Sequence, residues 1–170
     1  MKKFELTSEF ITNIFGTKLF RIKALIEFGN VKAGELGGFV EKEENLSQDG
    51  NAWVYDNARV YGDACVCGDA CVCGNARVYG DACVCGDARV CGDACVYGDA
   101  GYATVHGFGS EYRTTTFFKT KAGVGVKCGC FYGNLSEFRK KVVETHGETK
   151  KAKEYLMLAD LMEFRFSDNS

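Results

Sequence analysis

The residues best suited to bind a ligand recur at intervals of eighteen in the middle of the chain, as one arginine column and one tyrosine column. A guanidinium offers phosphate a rigid fork of donors, and a flat phenol ring can stack on a base or sugar. The pattern predicts a surface for a small anionic or nucleotide-like ligand. The alternative is that the rings only stabilise the fold or fill a subunit interface. The predicted ligand-binding residues are Arg59, Tyr61, Arg77, Tyr79, Tyr97 and, from another column, Arg89.

Four cysteines share the same spacing, and they are the residues that would ligate a metal: Cys65, Cys67, Cys83 and Cys85. If they lie on flat strands, their sulfurs start at the corners of a rectangle of roughly 5 by 7 Å. Zinc needs its four sulfurs about 3.8 Å apart. The sequence therefore predicts no metal site. A lasting disulfide between stacked cysteines is also not expected in a reducing compartment.

Candidates for catalysis are scarce, because the chain has two histidines. His106 follows the regular repeat and is the one candidate for a general base, but no partner for it is recognisable. His146 falls near a predicted helix end, where the dipole stabilises a cation. The sequence thus predicts no catalytic residue and no cofactor, and we expect a protein that is not an enzyme.

The elements that position these residues follow from a six-residue repeat, Gly-Asp/Asn-Ala-x-Val-x, between residues 50 and 100. In an extended strand, residues two apart point to the same face, so Ala and Val face a core and the intervening residues face outward. Gly with Asp or Asn favours a turn. Three hexapeptides would close one coil of a parallel β-helix, which explains the interval of eighteen. The alanine column runs at every sixth position from Ala52 to Ala100, and the valine column from Val54 to Val96.

The chain is predicted to have three parts, and the class is mainly β. Residues 1–36 form an N-terminal β-hairpin cap, residues 37–107 the hexapeptide β-helix, and residues 108–170 a C-terminal module of a β-hairpin plus two helices. At the start of the coil, Val40, Leu46 and Ala52 are expected to share one inward column. Asn134 and Glu137 form a capping box for the first helix, and Thr149 caps the second.

Composition narrows the possible partners and compartments. With 170 residues, 46% of them hydrophobic, the chain can bury a core without metal or disulfide. A net charge of -2 favours neither extended nucleic acid nor a membrane surface. The start of the chain lacks the apolar segment of a signal peptide, so we expect a cytoplasmic protein whose ten cysteines are thiols.

Two segments resemble known proteins. Residues 30–40 (NVKAGELGGFV) and 45–55 (NLSQDGNAWVY) are similar to the opening of bacterial hexapeptide-repeat proteins of the YdcK type, which are described as transferases. The resemblance implies a left-handed parallel β-helix, a homotrimer, and substrate clefts between subunits. Residues 128–138 (CGCFYGNLSEF) resemble the C-terminal module of uncharacterised phage and prophage proteins, which implies a bacterial host cell.

Three functions compete on these grounds. The first is a non-catalytic phage-type protein that captures a small anionic or nucleotide-like ligand, for which a host immune signal is one candidate, at clefts between subunits. The second is an acyltransferase-like enzyme with His106 as base. The third is a structural or protein-interaction scaffold. Fold alone does not decide between them.

Overall fold

The N-terminal segment forms an antiparallel hairpin. The structure is a computed structural model that describes residues 1–98, 101–108 and 113–167. Strands β1 (Phe4–Thr12) and β2 (Lys18–Ala24) pair at both ends, with a break in register between Leu6 and Phe10. Strand β2 then pairs with β3 (Leu36–Val40), the first strand of the coil. The predicted N-terminal hairpin is therefore confirmed, and it continues one side of the coil outward.

A three-sided solenoid of about three turns follows. Its short strands are β4 (Trp53–Val54), β5 (Arg59–Val60), β6 (Cys65–Val66), β7 (Cys71–Val72), β8 (Arg77–Tyr79), β9 (Cys83–Val84), β10 (Arg89–Val90) and β11 (Cys95–Tyr97). All pairs within the coil are parallel, and residues eighteen apart are partners, as in Val60, Val78 and Val96. The predicted parallel β-helix with three hexapeptides per coil is confirmed. Its left-handed sense stays a prediction.

The core of the solenoid consists of the two repeat columns. Every repeat alanine from Ala52 to Ala94 and every repeat valine from Val54 to Val96 is at most 1% exposed. Ala100, the last member of the predicted column, lies outside the described residues. The glycines of the corners adopt φ between 63° and 74°, a region that L side chains avoid. The inward columns and the glycine corners were therefore both predictable from the repeat.

The first coil differs from the prediction in register. Val40 and Leu46 are buried as expected, but Val40 aligns with Val60 and Leu46 with Val66, so both occupy the valine column rather than the alanine column of Ala52. The reason is that Val54 comes eight positions after Leu46, not six. Two additional residues are accommodated in the loop between them.

Trp53 lies between Ala52 and Val54, at one of the positions predicted to face outward, yet it is not exposed to solvent. It points away from the coil axis but is 0% exposed, because the N-terminal segment covers it. Phe4 and Phe28 pack edge-on against its ring at centroid distances of 6.3 and 5.3 Å. Beside it, Lys3 is buried and donates to the carbonyl oxygen of Ala52 at 2.9 Å. The outer surface of the coil around Trp53 is therefore covered by the N-terminal segment and is closed to ligands.

The C-terminal sheet has four antiparallel strands in chain order: β12 (Tyr102–Phe108), β13 (Arg113–Thr120), β14 (Gly123–Cys128) and β15 (Phe131–Asn134). The β13–β14 hairpin was predicted, and β12 and β15 were not. The predicted boundary at residue 107 falls inside β12. Strand β13 packs across the last coil, where an isolated bridge joins Ala94 to Thr120 and the backbone N–H of Arg89 donates to Thr116 Oγ1 at 3.0 Å.

Two helices complete the fold. Helix α1 (Leu135–His146) begins at a capping box in which Asn134 Oδ1 accepts from the backbone N–H of Glu137, and α2 (Lys150–Arg165) is capped by Thr149, as predicted. Phe138, Val142, Tyr155 and Ala159 pack with Phe117 of the sheet in a second core. Within the described residues, neither helix combines the length and hydropathy that crossing a membrane requires.

Candidate functional site

The tyrosine and arginine columns form one continuous surface, here called the ladder, along the side built by β5, β8 and β11. Arg59 lies directly over Arg77, since parallel in-register strands stack equivalent residues. The rings of Tyr61 and Tyr79 are stacked, with centroids 5.2 Å apart and planes 8° apart. Tyr97 continues the column at 5.2 Å but tilts by 50°. Because Tyr97 is also 67% exposed, the last ring of the column is accessible to a ligand.

The charge of the ladder is positive. Burial raises the pKa of Tyr61, although Arg77 partly opposes that shift. Burial and the neighbouring Cys95 raise the pKa of Tyr79. Both phenols therefore stay neutral near physiological pH, while the guanidinium groups of Arg59 and Arg77 remain charged. The ladder thus presents cations beside uncharged aromatic rings.

Two adjoining cavities lie where the ladder meets the C-terminal hairpin. One, of about 480 Å³, lies beside Arg77, and the other, of about 270 Å³, lies beside Tyr79 and Tyr97. Cys95, Thr120 and Lys121 line both cavities. The hairpin turn therefore brings a further cation to the boundary between the arginine and tyrosine columns.

Lys121 is the functional candidate that sequence reasoning missed. It belongs to the turn between β13 and β14, and in the sequence it reads as an ordinary exposed turn residue. Its place beside the ladder depends on the bridge from Ala94 to Thr120, which the repeat pattern does not indicate. The larger of the two cavities is also lined by two carboxylates, Asp93 from a corner of the coil and Glu137 from α1.

Arg89 lies away from the ladder. Its strand, β10, pairs with β7 on a different side of the coil, and its side chain is exposed there. Neither cavity at the ladder includes Arg89 among its described lining residues. The structure thus brings five of the six predicted ligand-binding residues onto one surface and places Arg89 on another.

The two histidines lie elsewhere. His106 is exposed on β12, and its Nδ1 is 2.9 Å from Thr114 Oγ1. His146, at the end of α1, stacks on Tyr155 with centroids 5.9 Å apart. Neither histidine is among the described residues that line the cavities at the ladder. A general base supplied by His106 would therefore act at a separate place on the same chain.

The third side of the coil carries the cysteine cluster. The Sγ atoms of Cys67, Cys83 and Cys85 lie within 4.8 Å of one another, and those of Cys67 and Cys83 are 4.0 Å apart. The expectation of a flat rectangle is wrong for these three, because Cys67 and Cys83 approach each other diagonally across adjacent strands. None of the ten cysteines, all of which the structure describes, is in a disulfide bond.

Three partly buried thiols on this side of the coil, those of Cys65, Cys67 and Cys83, have raised pKa values. Burial, followed by the neighbouring Cys67, raises the pKa of Cys83 to about 11. Burial also raises the pKa values of Cys65 and Cys67. A thiol with a raised pKa carries little of the thiolate that attacks electrophiles. These three thiols are therefore poor candidates for nucleophilic catalysis.

The coil is similar in sequence to known solenoid proteins. Residues 52–68 and 70–86 match the model of the YdcK beta solenoid repeat. A stretch of 63 residues is 40% identical to a protein named uncharacterized acetyltransferase YdcK, from Escherichia coli (strain K12). That stretch covers 33% of this chain and 19% of the relative, so the two proteins share a segment and not a full length. The matches support the conclusion that this chain contains a YdcK-like solenoid.

Proposed function

We propose that the chain captures a small ligand consisting of a flat ring and a phosphate-like anion, and that it does so at the ladder without converting it. The observation that carries the proposal is the convergence of Tyr79, Tyr97, Arg77 and Lys121 around two cavities that share a boundary. A nucleotide has both of the required groups. A nucleotide used as a host immune signal is the candidate that a phage-type binding protein would sequester.

The geometry supports a specific placement of such a ligand. A base can stack on the exposed ring of Tyr97, extending the column that Tyr61 and Tyr79 begin. The anion then lies toward Arg77 and Lys121, which offer a bidentate fork and a point charge. The larger cavity alone, at about 480 Å³, falls within the 300–1,000 Å³ range of small-molecule sites.

A trimer would complete this site. The ladder lies on an outer side of the coil, so a second copy packed against that side would enclose a ligand held there. Enclosure matters because an anion bound at an open surface is screened by salt within about 8 Å at physiological ionic strength. We therefore place the complete site at the cleft between subunits of a homotrimer in the cytoplasm of the bacterial host.

Thermal stabilisation against a nucleotide panel tests the proposal. A ligand at one hundred times its dissociation constant stabilises the folded chain by about 2.7 kcal/mol, which is measured as a raised melting temperature. Arg77→Gln should abolish the shift, and Arg89→Gln is the matched control because it removes an exposed arginine from the other side of the coil. No shift with any nucleotide, or equal shifts in both variants, would refute the proposal.

An acyltransferase is the second candidate, favoured by the segment shared with the protein named acetyltransferase YdcK. An acyl-CoA donor contains a nucleotide with phosphates, so the ladder could hold that part of it. His106 is the candidate base, and it lies outside the two cavities. Turnover of acetyl-CoA by the wild type, lost in His106→Ala, would support this function over simple capture.

A further inference from the structure

The geometry points to a thiolate site for a soft metal ion, such as Zn²⁺, at Cys67, Cys83 and Cys85 on the third side of the coil. It is independent of the ladder, since β6 and β9 form a sheet separate from β5, β8 and β11. The cluster lies beside a cavity of about 720 Å³ between the last coil and α2. Nothing in the proposed ligand capture uses these side chains.

The distances between the sulfurs fit a metal. An ion about 2.3 Å from each thiolate separates the sulfurs by about 3.8 Å in a tetrahedral site and by about 4.0 Å in a planar three-coordinate site. The Sγ atoms of Cys67 and Cys83 are already 4.0 Å apart, and all three lie within 4.8 Å. Closing the remaining pairs to binding distance thus needs about 1 Å at most, which a small side-chain rotation can supply.

Neighbouring groups can complete the coordination. Cys65 is the in-register partner of Cys83, and its thiol interacts with those of Cys67, Cys83 and Cys85. The Cys65 sulfur lies outside the group of three that are within 4.8 Å of one another, so it would have to move closer to serve as a fourth ligand. Tyr102 orients the site from the other side, donating its hydroxyl to the Cys83 carbonyl oxygen at 2.7 Å while lying 3.9 Å from Cys85 Sγ.

The ligand type selects the metal. Sulfur ligands favour Zn²⁺ and Cu⁺ over Mg²⁺ and Ca²⁺, which prefer oxygen. On binding, each S–H bond is broken, the proton leaves to solvent, and the sulfur's electron pair forms the bond to the ion. Three thiolates around Zn²⁺ carry one net negative charge. Arg165 lines the adjacent cavity and can offset that charge.

The test uses the reduced full chain with Zn²⁺ as the probe. We expect one Zn²⁺ per chain after desalting, measured by elemental analysis, and absorption bands of cobalt bound to sulfur when Co²⁺ replaces it. The triple variant Cys67→Ser/Cys83→Ser/Cys85→Ser should retain no metal. The matched control is Cys73→Ser/Cys91→Ser, a stacked pair on another side of the coil, and it should bind as the wild type does.

Two results would overturn the inference. One is a freshly reduced wild-type chain that retains no Zn²⁺, and the other is a triple variant that retains as much as the wild type. Because three substitutions could unfold the coil, the single variant Cys85→Ser provides a second measurement at an exposed position. It should weaken Zn²⁺ affinity at least tenfold while leaving the circular dichroism spectrum unchanged, and unchanged affinity would also overturn the inference.

Discussion

Two corner glycines allow the stacking of the coils to be tested with a matched pair of substitutions. Gly74 and Gly86 have nearly the same backbone conformation, with φ of 67° and 63°. They differ in what lies beyond them. A Cβ at Gly74 would meet the Gly92 backbone nitrogen at 2.9 Å, whereas a Cβ at Gly86 would meet nothing within 4 Å. Alanine at both positions therefore separates the cost of backbone conformation from the cost of the clash between coils.

The expected magnitudes follow from these contacts. A non-glycine residue in the left-handed region costs roughly 1–2 kcal/mol, and Gly86→Ala should lose about that much of the free energy of unfolding. Gly74→Ala carries the same cost and adds overpacking against backbone atoms, typically about 1–3 kcal/mol. The neighbour is main chain and cannot rotate away. We therefore expect a total loss of about 2–5 kcal/mol for Gly74→Ala.

Urea unfolding followed by circular dichroism measures the difference. With a denaturant slope of about 2 kcal/mol per M, an additional loss of 2 kcal/mol moves the midpoint by about 1 M. Gly74→Ala should thus unfold at clearly lower urea than Gly86→Ala. Equal midpoints for the two variants would mean that no coil lies against the Gly74 corner, which would refute the stacked solenoid.

Three further predictions concern the cap, the first helix and alkaline pH. Trp53→Ala should cost about 3–5 kcal/mol of unfolding free energy because it leaves a cavity, measured by urea unfolding. Trp53→Phe should cost much less, because it keeps an aromatic ring and removes an indole N–H that finds no partner among the described residues; equal losses would contradict the buried placement. Asn134→Ala should cost about 1 kcal/mol through loss of the helix cap, measured by thermal unfolding with Ser136→Ala as control. The folded chain holds the Cys83 proton to a pKa of about 11, above the ordinary 9.0, so this group's contribution to stability is complete below pH 9 and is lost as pH rises toward 11. Cys83→Ser should reduce that alkaline loss in urea unfolding, and an unchanged pH profile would show that burial of this thiol does not contribute.

The regular part of the fold could be predicted because each hexapeptide repeats the same local preferences. Alternation of Ala and Val fixes which face is buried, and Gly at the corner fixes the turn, so Val78 and Gly80 behave like their equivalents in every coil. The arginine and tyrosine columns follow directly from the interval of eighteen. The repeat therefore predicts which arginines and tyrosines stack on one another in the ladder.

Contacts between the repeat and its flanks were not predictable in the same way. The six-residue pattern treats Trp53 like Cys71 and Arg89, the equivalent outward positions of the next two coils, which are half-buried and exposed. The full burial of Trp53 is produced by Phe4 and Phe28 from the N-terminal segment. Lys121 reaches the ladder because β13 packs across the last coil, where a bridge joins Ala94 to Thr120. Long-range contacts of this kind depend on how separate elements pack, which local periodicity does not encode.

Binding of a nucleotide at the ladder can be tested by a crystal structure of the chain with the nucleotide that raises its melting temperature most. We expect density for a base stacked on Tyr97, with a phosphate within hydrogen-bonding distance of Arg77 and Lys121. Density for the nucleotide on another side of the coil, with the ladder unoccupied, would contradict it.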